Sequence, residues 1–350
     1  MLSKIMLSNQ SFKAYSRYVE QILIDVNDEI VHSKEKSFVD ALLRLQRNEY
    51  SYHLEGFLQT IVNFLYFKDE AYLQSYLCWR YSFYRSYKIS SEFLYQENAL
   101  IQKITKLYVQ LPFLRELETI HSYISDFYTL LGSDNSWKKR EPLSKEAQKV
   151  YELLLAGDSD AFEMEIVEHI DGLESFCHYF TTTLSAVLRH IGEEWKYGAI
   201  KVAQEHRMSA LIKDLLLKHM QGLERKPARV ERFFLSCVSG EDHTLGLEIS
   251  RKILEHLGYE VVVLGSKFVE QDLINALYEF QPDYILFIAT LPTNLIQLAH
   301  NIKSIQRATL PKHPRCYVAG AAIKTLTNAQ LSLECDGVFD TFVSFYDSFI

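Results

Sequence analysis

From about residue 228 onward the hydrophobic pattern changes period, and this restricts what the chain can build more than any other feature. Short β-branched and aromatic runs, "RVERFFLSCV", "YEVVVLG", "DYILFIAT" and "RCYVAG", alternate with helical stretches. Those stretches are about Thr244 to Leu257, "VEQDLINALYEF", a helix ending near Ser304, and another before the closing "VFDTFVSF". Unbroken apolar runs suit strands covered on both faces, and strands separated by helices pair in parallel. The expectation for residues 228–350 is a doubly wound, flavodoxin-like sheet of five parallel strands with right-handed crossovers.

Two all-helical segments precede it. Residues 145–224 read as a four-helix bundle: "KEAQKVYELLLAGD", "SDAFEMEIVEHIDG", "ESFCHYFTTTLSAVLRHIGEEW" and "AIKVAQEHRMSALIKDLLLKHM" have helical periodicity and are punctuated by Gly157, Gly172 and Gly198. Residues 133–144 read as a polar linker containing Pro142 and closing on Ser144, a helix N-cap with Glu146 and Gln148 close behind. Residues 1–132 read as helical throughout, with Gly56 and Gly132 their only glycines. The aromatic density around Trp79 suits a packed core or a partner-binding face. A second chromophore pocket touching His53, for a bilin or haem, is the alternative.

A chain of 350 residues can bury two or three cores, and 48% hydrophobic with 23% charged residues is an ordinary soluble composition. The formal net charge of -8 disfavours a dedicated nucleic-acid binder, and up to Arg140 the 17 basic residues are matched by 16 acidic ones. Five scattered cysteines without a CxxC pair argue against a zinc site or a disulfide framework. No run suits a membrane span or a secretory signal, so a cytoplasmic location is expected. No HExxH, Walker or Ser-His-Asp pattern suggests an enzyme.

In an open parallel sheet, ligands bind beyond the carboxyl ends of the strands. The loop after the first strand is "SGEDHTLG", Ser239 to Gly246. Its glycines do not make a dinucleotide or phosphate loop. It offers His243 with carboxylates at Glu241 and Asp242, so the imidazole can ligate a metal through one nitrogen while a carboxylate holds the other. The bland reading is a polar loop entering a helix. A second feature is "WKYGAIKVAQEH", in which Trp195 precedes the Glu205-His206 pair by nine intervening residues. With a turn at Gly198, Trp195 would end one helix and Glu205-His206 would lie two turns into the next. An aromatic plate and an imidazole could then line one cavity, against the bland reading of a core tryptophan and a solvated ion pair.

Together, a four-helix bundle followed by a doubly wound domain with a Glu-x-His-x-x-Gly loop resembles the cobalamin-binding module, over about 205 residues from Ser144. The resemblance implies that His243 is the lower axial ligand of cobalt, with Glu241 standing where an aspartate usually orients the imidazole. Asp242 and Gly246 share that loop. The Trp195 to Glu205-His206 spacing is similar to the light-sensing subgroup, the adenosylcobalamin photoreceptors related to repressors of carotenoid genes. In that subgroup the bundle caps the adenosyl face and light breaks the cobalt–carbon bond. The resemblance therefore implies that Trp195, Glu205 and His206 contact the upper group, and that His206 can take the vacated cobalt site.

The match departs from the family at the nucleotide tail. Ile288 stands in place of a serine, with Thr290 the nearest hydroxyl, and Ala319-Gly320 replaces a glycine pair. Both changes narrow the tail channel and leave haem or bilin open as alternative ligands. The winged helix-turn-helix of the photoreceptor repressors is missing from the amino-terminal segment, so DNA binding is not carried over and a regulatory protein partner is expected, with a homo-oligomer left open. A corrinoid carrier for methyl transfer is the enzymatic alternative.

Overall fold

The computed structural model describes residues 8–133, 142–196, 198–238, 241 and 243–350. Most of the expected linker, residues 134–141, lies outside them. The chain divides into two compact units, Met1–Glu141 with Lys196–Ala199, and Pro142–Trp195 with Ile200–Ile350. Among the described residues no helix is long and apolar enough to cross a membrane.

The first unit consists of α1 (Asn9–His32), α2 (Lys36–Arg44), α3 (Arg47–Phe67), α4 (Glu70–Ser86), α5 (Ser91–Tyr108) and α6 (Phe113–Ser133). Ser8 and Asp69 cap α1 and α4 by accepting from the amides of Ser11 and Tyr72. The aromatic density is core packing, with Tyr50, Phe57, Phe83, Tyr84, Phe93 and Tyr128 all buried. At its centre the fully buried Arg80 lies 2.5 Å from Glu97, donates to the hydroxyls of Tyr84 and Tyr128, and sits 4.2 Å from the Phe57 ring centroid. Tyr50 donates to the other Glu97 oxygen. These bonds and the facing rings offset much of the desolvation of the buried pair, although Arg80 Nε finds no hydrogen-bond acceptor. His53, the candidate contact of a second chromophore pocket, is buried with its ring 4.1 Å from Phe83 and 5.7 Å from Trp79.

The second unit opens with the bundle. It contains α7 (Lys145–Ala156), α8 (Ser159–His169), α9 (Leu173–Tyr179), a π-helical turn at Phe180–Leu184, α10 (Ser185–Lys196) and α11 (Val202–Met220). Ser144 caps α7 as expected, accepting from the Ala147 amide at 3.1 Å. The π turn falls where Thr182 and Ser185 donate their hydroxyls to carbonyls four residues back, which loosens the helical ladder. Because α9, the π turn and α10 run on without a break, the bundle has four rods.

The sheet follows as β1 (Arg232–Cys237), α12 (Leu245–His256), β2 (Glu260–Gly265), α13 (Glu270–Phe280), β3 (Tyr284–Ile288), α14 (Leu295–Arg307), β4 (Arg315–Ala319), α15 (Ala329–Leu333), β5 (Gly337–Phe339) and α16 (Phe342–Phe349). All pairings are parallel in the order β2-β1-β3-β4-β5, the flavodoxin-like arrangement. "VFDTFVSF" divides between β5 and α16 because Thr341 caps a new helix by accepting from the Ser344 amide. Leu235, Cys237, Leu286 and Ile288 on one face of the sheet join α12, α16 and the bundle helices in one continuous core. The strand order reverses between β1 and β3, so their carboxyl ends mark the crevice beneath the bundle.

Candidate functional site

Glu241 and His243 follow β1 at that crevice; Ser239, Gly240 and the candidate Asp242 lie outside the described residues. Glu241 is fully buried, whereas the His243 side chain is 56% exposed. Glu241 Oε1 lies 2.5 Å from His243 Nδ1 and also accepts from the His243 amide at 3.2 Å. Its Oε2 accepts from the amides of Thr290 and Leu291 and from Asn294 Nδ2, at 3.1, 2.9 and 3.2 Å. Burial works against ionisation, but the bonds from His243 and the Leu291 amide outweigh it and hold the carboxyl below its usual range. An ionised Glu241 makes Nδ1 the protonated nitrogen, which leaves the lone pair on Nε2 at the opposite edge of the ring.

Sequence reading missed Asn294 and the two amides. The available signal was the buried carboxylate itself, since its oxygens must find donors on the strand beside β1. Pro292 starts the 3-10 turn Pro292–Asn294 that turns those donors inward before α14. Thr290 contributes its amide here, although its hydroxyl had made it a candidate.

Cys237, Ile288 and Ala319 stand in register at the ends of β1, β3 and β4. Gly246 is in the first turn of α12, and a Cβ on it would sit 3.3 Å from Ile288 Cγ2. Gly320 has φ +114, and a Cβ there would fall 2.2 Å from the Ala289 carbonyl oxygen. Only glycine fits that position, because Ala289 is drawn close by bonds to the Ala319 carbonyl and the Ala322 amide.

On the bundle side, Trp195 is half-buried against the shared core near the end of α10. Helix α11 begins only at Val202, so Glu205 closes its first turn and His206 opens its second, rather than the pair lying two turns in. The cause is Lys201, whose extended backbone and Gln204 partner delay the helix. His206 is 75% exposed with Nδ1 on the Glu205 carboxylate, whose other oxygen accepts from Ser209 at 2.9 Å. Lys213 follows His206 by seven residues, on nearly the same stripe of α11 and about 10 Å along it. Its Nζ lies 2.6 Å from Glu248 in the first turn of α12, and Thr244 shares that Glu248 oxygen. The stripe bearing His206 therefore meets the first turn of α12 at Lys213.

The structure thus gathers Glu241, His243, Gly246, Thr290, Ala319 and Gly320 at one edge of the sheet. Among the described residues no three His, Cys, Asp or Glu side chains cluster as a metal cage. One exposed imidazole anchored to a buried carboxylate suits a metal already held by a ring of nitrogens, which needs a single further protein ligand. The residues present fit a corrinoid.

The comparisons with known proteins agree with this class. Residues 146–217 match the B12 binding domain family. That segment, which spans the helical bundle, is similar to a B12 binding domain. It is 30% identical over 148 residues to the HTH-type transcriptional repressor CarH of Myxococcus xanthus, a match covering 42% of this chain and 48% of the repressor. The match thus spans about half the length of that relative. Over 189 residues it is 21% identical to trimethylamine corrinoid protein 2 of Methanosarcina acetivorans, covering 53% and 85% of the two chains. The solved monomethylamine corrinoid protein of Methanosarcina barkeri superposes with TM-score 0.48 at 12% identity, over 57% of this chain and 94% of that one.

Proposed function

We propose that this protein is a light-responsive, adenosylcobalamin-binding regulator that signals to a protein partner through movement of its helical cap. The observation that carries this reading is His243, held by Nδ1 on the buried Glu241 carboxylate, an arrangement in which Nε2 would serve as the cobalt ligand. When bound, the adenosyl form supplies a light-sensitive cobalt–carbon bond. Glu241 keeps the imidazole in its ligating tautomer, and Asn294 with the Thr290 and Leu291 amides keeps Glu241 ionised. Trp195, Glu205 and His206 would form the cap side, hold the bound group and exclude water from it, with the His206 imidazole as the cap's potential cobalt ligand. The Lys213–Glu248 pair joins cap helix α11 to α12 and is the contact a cap displacement must break. Similarity to a transcriptional repressor supports the regulatory role.

The test is an absorption spectrum of the purified protein with adenosylcobalamin in darkness, before and after green light, beside His243→Ala. A bound corrinoid whose spectrum shifts on illumination, and loses its histidine-ligated form in the variant, is expected. Wild-type protein that retains no cobalamin would sink the reading, and the same titration with haem or a bilin would then identify the alternative ligand.

A second reading, a corrinoid carrier for methyl transfer, draws on the similarity that runs through 85% of a trimethylamine corrinoid protein. It predicts that methylcobalamin on the protein passes its methyl group to an acceptor in the dark.

A further inference from the structure

Cobalamin carries a nucleotide loop below its ring, ending in a nitrogen base of its own. On the reading above, on which this inference rests, His243 takes the lower cobalt face and that base must go elsewhere. It can enter a channel in the protein or remain in solvent. A channel from the His243 loop would run between the sheet and the helices α12 and α16 that cover this face.

In this chain that space is filled. At its mouth Cys237 and Ile288 lie side by side, both buried, and Ile288 closes against the first turn of α12 at Gly246. One layer deeper Leu286 is fully buried. Beyond it the rings of Tyr317, Phe339 and Phe349 interlock, with Tyr317 centred 5.2 Å from Phe339 and 5.6 Å from Phe349. Gly337 packs tightly beside them, since a Cβ there would lie 3.0 Å from the Tyr317 ring. A close-packed layer of this kind does not admit a base without expelling rings.

We infer that this chain selects its corrinoid by the ring and the lower histidine alone and leaves the nucleotide tail outside, with Ile288 as the residue that closes the tail channel. The ligand class is therefore broader than cobalamin and includes tailless cobinamides.

The experiment varies the ligand and leaves the chain intact. Full-length protein is titrated in darkness with adenosylcobalamin and, separately, with adenosylcobinamide, following the absorption change of imidazole ligation. Adenosylcobinamide, which has no base of its own to displace from cobalt, is expected to bind at least as tightly as adenosylcobalamin. Both complexes should show the same histidine-ligated spectrum. Cobalamin preferred by more than about tenfold overturns the inference while leaving cobalamin binding intact. Failure of both ligands to bind overturns the inference together with the reading beneath it.

Discussion

Glu241 Oε1 stands 2.5 Å from His243 Nδ1, while Oε2 of the same carboxylate gathers three donors from the β3–α14 loop. One side chain thus ties the exposed imidazole to the loop after the neighbouring strand. Glu241→Ala would free the ring and strand those donors. Cobalamin affinity is expected to fall by about 10- to 100-fold, the usual cost of losing a ligand's outer partner. A titration of the variant that returns wild-type affinity and spectrum would remove Glu241 from the site.

Gly320 makes a second prediction. Its φ of +114 and the Ala289 carbonyl leave no room for a methyl group. Gly320→Ala is expected to destabilise the chain by more than about 1 kcal/mol, from strain plus displaced β3–β4 backbone. Thermal melts of the unliganded protein would read this as a lowered Tm, and an unchanged Tm would contradict it.

Arg80 and Glu97 concern the first unit, where both side chains are 0% exposed. Removing one partner leaves an uncompensated buried charge, so Glu97→Ala should cost about 3–5 kcal/mol. Replacing both by apolar residues of similar volume, Arg80→Met with Glu97→Leu, should recover much of that loss. Urea unfolding distinguishes the two, and a double variant no more stable than the single one would mean that the surrounding tyrosines require the pair.

A pH dependence follows from His53 and His121. Burial, joined at His53 by the Arg80 charge, lowers both to about 4. An unfolded histidine titrates near 6.5. Between these values the unfolded chain takes up protons that the folded unit refuses. Stability is therefore full above about pH 6.5 and falls as pH drops toward 4, by up to about 1.4 kcal/mol per pH unit for each histidine. Urea midpoints measured from pH 7 to pH 5 should decline, and less steeply in His53→Phe. Equal slopes in the two proteins would rule His53 out as a source.

The sequence by itself determined the class of fold and singled out the loop proposed to hold the ligand. Strand runs spaced by helical periods dictate a parallel sheet, because only crossover helices can return the chain to pair in parallel. The loop after β1 could be singled out because a ligand crevice belongs at the carboxyl ends of such strands, and Glu241 and His243 are local to each other. The start of α11 was misplaced, since an extended Lys201 is a backbone choice that helical periodicity does not encode. Asn294 was out of reach for a different reason. It lies 53 residues from Glu241 in sequence, and only the adjacency of β1 and β3 makes it a partner. The same holds for Tyr317 and Phe349 in the closed tail channel and for Arg80 beneath its tyrosines. Local pattern determines which element a residue joins, whereas the packing of distant elements decides which buried charge is satisfied and which space is left for a ligand.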